Sequence, residues 1–159
     1  IRTGLNYSEW LTYFAMGTRY AGYDRRKMRI DFTLTLPGLF EIVNICRLAK
    51  DLNVDILAKV TFAFTPDIAM SPLFLPRKHL DRVVNDLLLN TNVDNRTIRE
   101  MLKSLLDRPT FEEQFPGEYS KARLKGKWRM DAMDNLRGGM HFADTLKDDK
   151  IQDWWNGLG

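Results

Sequence analysis

Three consecutive stretches decide the fold: MRIDFTLTL (28–36), LFEIVNICRLAKDL (39–52) and DILAKVTFAFT (55–65). The first alternates cleanly, with Met28, Ile30, Phe32, Leu34 and Leu36 on one face and Arg29, Asp31, Thr33 and Thr35 on the other. A period of two residues is the signature of a strand with one buried side. Pro37–Gly38 is expected to stop it. In the second stretch Leu39, Val43, Cys46 and Ala49 recur at helical spacing, and Phe40, Ile42, Ile45, Leu48 and Leu52 widen the apolar stripe. The third alternates again: Ile56, Ala58, Val60, Phe62 and Phe64 form one face, while Lys59, Thr61 and Thr65 lie opposite beside Leu57 and Ala63. Strand, helix and strand with short joints make a βαβ unit, in which the strands must run parallel.

Working outward, Asn6 or Ser8 can cap a helix from about Glu9 to Gly17, with Trp10, Leu11, Phe14 and Tyr13 as its inward residues. The segment 66–76 holds Pro66, Pro72 and Pro76 with apolar residues between them, so it is expected to pack down as a loop. Helices follow from about Lys78 to Leu89 and from an Asp94 or Asn95 cap to Leu106. Thr110-x-x-Glu113 is a capping box. A longer basic helix runs from Glu118 to Leu136 and ends at Gly138–Gly139. The tail carries Phe142, Leu146, Ile151, Trp154, Trp155 and Leu158 as anchors.

Composition narrows the function classes. The chain has 159 residues, 44% hydrophobic, which is enough for a real core. No apolar run approaches the length of a membrane span. The single cysteine, Cys46, excludes an internal disulfide and fits a reducing cytoplasm. Its place on the apolar stripe reads as a packed thiol rather than a nucleophile or ligand. His79 and His141 lack a paired ligand at helical spacing, so no metal site is expected on them. A net charge of +3 does not favour nucleic acid as a partner. Basic residues concentrate at 25–27 and at Lys121, Arg123, Lys125, Lys127 and Arg129, the latter interleaved with Asp131 and Asp134 as on a solvated face. The chain opens on Ile1 without a leader pattern, which reads as part of a longer coding sequence.

Parallel strands are normally buried on both sides and nearly continuous in Val, Ile and Leu. These two are not. Their second face carries Asp31, Thr33, Thr35, Lys59, Thr61 and Thr65, so the periodicity leaves two readings open. Either that face lines a wet cavity, as in an open α/β barrel, or its charges pair on a solvated sheet.

The stretches IRTGLNYSEW, RIDFTLTLPGLFEIVNICRLAKDLNVDIL and FTPDIAMSPLFLPRKHLDRVV, with FEEQFPGEYSKA, LRGGMHFAD and DWWNGL further on, resemble the C-terminal portion of radical S-adenosylmethionine proteins of the SPASM/twitch-domain type. That resemblance implies an α/β fold: residues 1–90 as late strands and helices of a partial (β/α)6 TIM-like barrel, and 91–159 as a mainly helical extension. It implies cofactor contacts at Thr33, Thr35, Phe64, Thr65 and Pro66. It also implies, for a full-length parent, S-adenosylmethionine, a [4Fe–4S] cluster and a substrate that could be a peptide. The family's Cys-x3-Cys-x2-Cys motif is absent from this sequence, so the chain alone should be catalytically incomplete and its tail free of metal. The alternative is a non-catalytic α/β-helical interaction module using the basic helix or the tryptophan tail.

Overall fold

The computed structural model describes residues 6–61 and 65–159. Strands β1 (Arg29–Leu34) and β2 (Asp55–Val60) pair in parallel, with Arg29 opposite Asp55, Thr33 opposite Lys59 and Leu34 opposite Val60. Thr61 N–H donates to the Leu34 carbonyl at 2.9 Å just past the strand end. The two faces divide as the alternation demands. Ile30, Leu34, Ile56 and Val60 are buried, and Arg29, Asp31, Thr33, Leu57 and Lys59 are exposed. Both strands are shorter than their sequence patterns. Residues 62–64 lie outside the described residues, so the expected inward positions of Phe62 and Phe64, and the expected contact from Phe64, lie there too.

Helix α1 (Tyr7–Tyr20) is capped by the Asn6 side chain, which accepts the Glu9 N–H at 3.2 Å. It continues three residues past the expected stop at Gly17, and Tyr13 is exposed rather than inward. The crossover is the clearest departure. The expected helix from 39 to 52 is present but starts later, as α3 (Ile42–Asp51), and a separate helical turn, α2 (Leu36–Leu39), precedes it where the strand was expected to stop. Thr35 is the reason. Its Oγ1 accepts the Gly38 N–H at 3.1 Å, an N-cap that starts a turn where Pro37–Gly38 had suggested only a stop. Proline is tolerated there because the first turn's N–H groups have no helical partner.

Helices α4 (Arg77–Leu89) and α5 (Arg96–Leu106) pack on each other, and α5 lies directly against β2. Asn95 caps α5 through the Ile98 N–H at 3.2 Å. Ile98, Met101, Leu102 and Leu105 then bury one face, at a spacing of three and four residues, on the helix that packs against β2. At α6 (Phe111–Gln114) the Glu113 carboxylate takes the Thr110 N–H at 2.8 Å, as the capping-box pattern predicts. Helices α7 (Tyr119–Arg137) and α8 (Asp149–Asn156) complete the chain.

Segment 66–76 does pack down. Asp67, Ala69 and the run from Ser71 to Pro76 are buried, and Leu36 N–H donates to the Met70 carbonyl at 2.7 Å. Phe74, fully buried, meets Tyr119, Trp154 and Trp155 at ring separations of 6.3, 6.0 and 6.2 Å. Arg82 fastens the tail to α4 through both Asp148 oxygens at 2.8 and 2.6 Å. One hydrophobic core thus draws residues from Ile30 through Leu158.

Candidate functional site

The cation-bearing face of α7 builds a cleft just beyond the carboxyl end of β2. Lys121, Lys125 and Arg129 recur every four residues, so they stack on one side of the helix. Like charges at that spacing repel each other, and a buried counter-ion relieves it. Asp67, only 7% exposed, supplies the counter-ion: its Oδ2 accepts from Lys125 Nζ at 2.8 Å and from Arg129 at 2.6 Å. The Lys125 ammonium, then a hydrogen bond from Thr65, hold this carboxyl at about 2 despite the opposing effect of burial. It is therefore ionised throughout the physiological range.

Gly126 lets the loop come this close. A Cβ there would sit 2.9 Å from the Asp67 carbonyl oxygen and 3.0 Å from the Phe74 ring. A glycine inside a helix costs stability relative to alanine, and here backbone approach is what it permits. The cleft encloses about 510 Å³ and is closed at one end by Gly117 and Glu118, at the N-terminus of α7.

The expected site residues separate in space. Thr65 and Pro66 line this cleft. Thr35 is engaged in capping α2. Thr33 stands exposed on the open sheet face beside Lys59, and no principal cleft among the described residues includes it. On that face Arg29 donates to Asp31 at 2.9 Å and Arg25 lies 3.4 Å from Asp55. Within the described residues it is a solvated, charge-paired surface rather than a cavity wall.

Asp67, Lys125 and Arg129 were not among the expected site residues. Two signals pointed to them: the four-residue repeat of cations, and a glycine set mid-helix between Lys125 and Lys127. A second, apolar cleft of about 340 Å³ lies against α7 at Met130 and Met133, closed by Met70, Met140 and Phe142.

Cys46 is buried, and burial pushes its thiol pKa up. His79 packs on Trp154 at 5.9 Å, and burial lowers its pKa. His141 approaches Asp134 at 3.8 Å on another element. Among the described residues no three potential metal ligands come together, and no helix is long and apolar enough to cross a membrane.

Comparison with known proteins adds no relative: no family model matches the chain, and no curated protein or solved structure matches it.

Proposed function

We propose that this chain supplies late strands and helical cover to a radical S-adenosylmethionine barrel, with β1 and β2 adjacent and their polar face turned to the lumen. One observation carries the reading. A parallel pair buries Ile30, Leu34, Ile56 and Val60 on one side, with α5 against β2, yet leaves Arg29, Asp31, Thr33 and Lys59 open on the other. Parallel strands are ordinarily covered on both faces, and a two-stranded sheet is short of independent stability. Neighbouring strands that close a barrel would supply the missing cover. The exposed Leu57, at 47%, is an apolar residue such closure would shield.

The thiol set does not fit a [4Fe–4S] cluster held by this chain alone, because Cys46 is the single cysteine and is buried in the core. On this reading cluster ligation and radical generation would fall to cysteines of the parent protein, and no step is assigned to Cys46. S-adenosylmethionine, when bound, would supply the radical precursor. The residues here would position it: Thr33 offers its hydroxyl from the open face, and Thr65 and Pro66 shape the strand-end rim.

The test is a titration of 15N-labelled protein with S-adenosylmethionine and, separately, S-adenosylhomocysteine. Saturable amide shifts at Thr33, Leu34, Thr61 and Thr65 are expected. Shifts absent from these positions at several times the millimolar range would remove the reading.

A second reading, a docking module, has its own observation. Trp128 is 70% exposed one turn from the exposed Leu124, on the outer side of the basic helix. Exposed tryptophan flanked by cations is typical of partner anchors. Trp128→Ala leaving every interaction of the protein in pull-down and cross-linking unchanged would exclude it.

A further inference from the structure

We propose that the cleft between the 65–67 segment and α7 is a binding site for the phosphate group of a small organic ligand. The inference does not rest on the barrel reading, although the two share Thr65 and Pro66 at the strand-end rim.

Charge comes first. Lys121, Lys125 and Arg129 face Asp67 and Glu118 in the lining, three cations against two anions. Within the described residues no carboxylate lies within ion-pair distance of Lys121, so its ammonium is the uncompensated charge. The N-terminus of a 19-residue helix, α7, adds its partial positive charge at the same end.

Preorganisation comes second. Asp67 binds Lys125 and Arg129 through one oxygen, Oδ2, which draws both cationic heads to the cleft wall. An ammonium has three donors and a guanidinium five, so each keeps donors after satisfying Asp67. Gly126 fixes the distance between helix and loop on which this depends. Asp67 is thus a positioning residue, and Lys121, Lys125 and Arg129 are the direct contacts.

Shape comes third. Donors arriving from three successive turns suit a tetrahedral oxyanion better than a planar carboxylate, which a single guanidinium fork would grip. A cleft of about 510 Å³ holds far more than a lone phosphate, so an organic remainder sits beside it, over Pro66 and Ala122.

The experiment titrates 15N-labelled full chain with inorganic phosphate, phenyl phosphate and benzoate at constant ionic strength. Phosphate and phenyl phosphate should shift the amides of Thr65, Gly117 and Lys121 saturably, with phenyl phosphate the tighter. Benzoate should bind at least about tenfold more weakly. Lys121→Gln, which disturbs no ion pair of the fold, should weaken phenyl phosphate at least about threefold. An absence of saturable shifts up to about 20 mM would overturn the site. So would an unchanged affinity in Lys121→Gln. Benzoate binding as well as phenyl phosphate would overturn the phosphate assignment, and so would a short single-stranded oligonucleotide that shifts the same amides more tightly than phenyl phosphate. S-adenosylmethionine in a parallel titration separates the two proposals: Thr33, Leu34 and Thr61 report the barrel reading alone, Gly117 and Lys121 the phosphate cleft alone, and Thr65 is common to both.

Discussion

Replacing Gly126 by alanine should destabilise the protein, opposite to the usual effect of that change inside a helix. Alanine is ordinarily favoured over glycine there by about 1 kcal/mol. At Gly126 the added methyl would meet the Asp67 carbonyl oxygen at 2.9 Å and two Phe74 ring carbons at 3.0 and 3.1 Å. None of these neighbours can yield easily. The first is backbone of a buried segment, and Phe74 is fully buried among aromatic partners. Overpacking costs about 1–3 kcal/mol, and three unyielding contacts at 2.9, 3.0 and 3.1 Å put this site in the upper part of that range, at about 2–3 kcal/mol. After the helix gain of about 1 kcal/mol the net loss should be about 1–2 kcal/mol. For a chain of this size that lowers Tm by about 2–8 °C. Gly17→Ala is the matched control. Its new methyl would lie 3.1 Å from Met28 Cε, the free end of a flexible side chain, so up to about 1 kcal/mol of stabilisation should survive. Urea unfolding followed by circular dichroism, with the slope checked for constancy, measures both. A Gly126→Ala protein as stable as the parent would mean the loop does not press on α7, and the cleft's geometry would fall with it.

Asp67 makes the fold acid-sensitive in a defined window. Its carboxyl is lowered from 3.8 to about 2, so its stabilisation is complete above about pH 4 and lost as pH falls towards 2. Because its partners are partly exposed, Asp67→Asn should flatten that limb by only about 1–2 kcal/mol in acid-dependent urea midpoints. An unaltered acid limb would show the carboxyl is not held by these cations. Arg77 donates to Asp81 at 3.2 Å, to Glu113 at 2.6 Å, and to the Leu106 and Arg108 carbonyls, tying α4 to the turns around α6. Arg77→Ala should cost about 2 kcal/mol, and Arg77→Lys should recover little of it, since one ammonium cannot span four acceptors. Trp155 is 1% exposed, so Trp155→Ala should cost about 3–5 kcal/mol, read as a lowered thermal midpoint. Cys46 should resist a disulfide-exchange reagent in the native state and react fully in urea, because burial withholds its thiolate.

The elements that sequence made readable are those fixed by local rules. Alternation at 28–36 and 55–65 identified the strands, and the joint between them required their parallel sense. Asn95 and Thr110–Glu113 marked helix starts through hydrogen bonds that span three residues. Thr35 was misread because a threonine ending a β-pattern and a threonine capping a helix look alike until the Gly38 N–H is placed. The cleft was less legible still, since Asp67 and Arg129 are joined only by the tertiary fold. Without that contact, a repeat of cations on a helix is indistinguishable from a solvated face. The polar side of the sheet, which periodicity left undecided, is charge-paired and open within the described residues.

The segment 66–76 inverts the usual expectation about irregular chain. Three prolines and a serine-capped turn suggest a place to cut or insert, yet Ser71 Oγ donates to the Thr61 carbonyl at 3.0 Å and the Leu36 and Phe74 amides are bonded out of solvent. Amide exchange there should be as slow as in the helices, and proteases should pass it by. A peptide tag spliced between Ala69 and Leu75 would abolish folding. The same tag at Gly22 or Gly139, both exposed turns with positive φ, would be carried without harm.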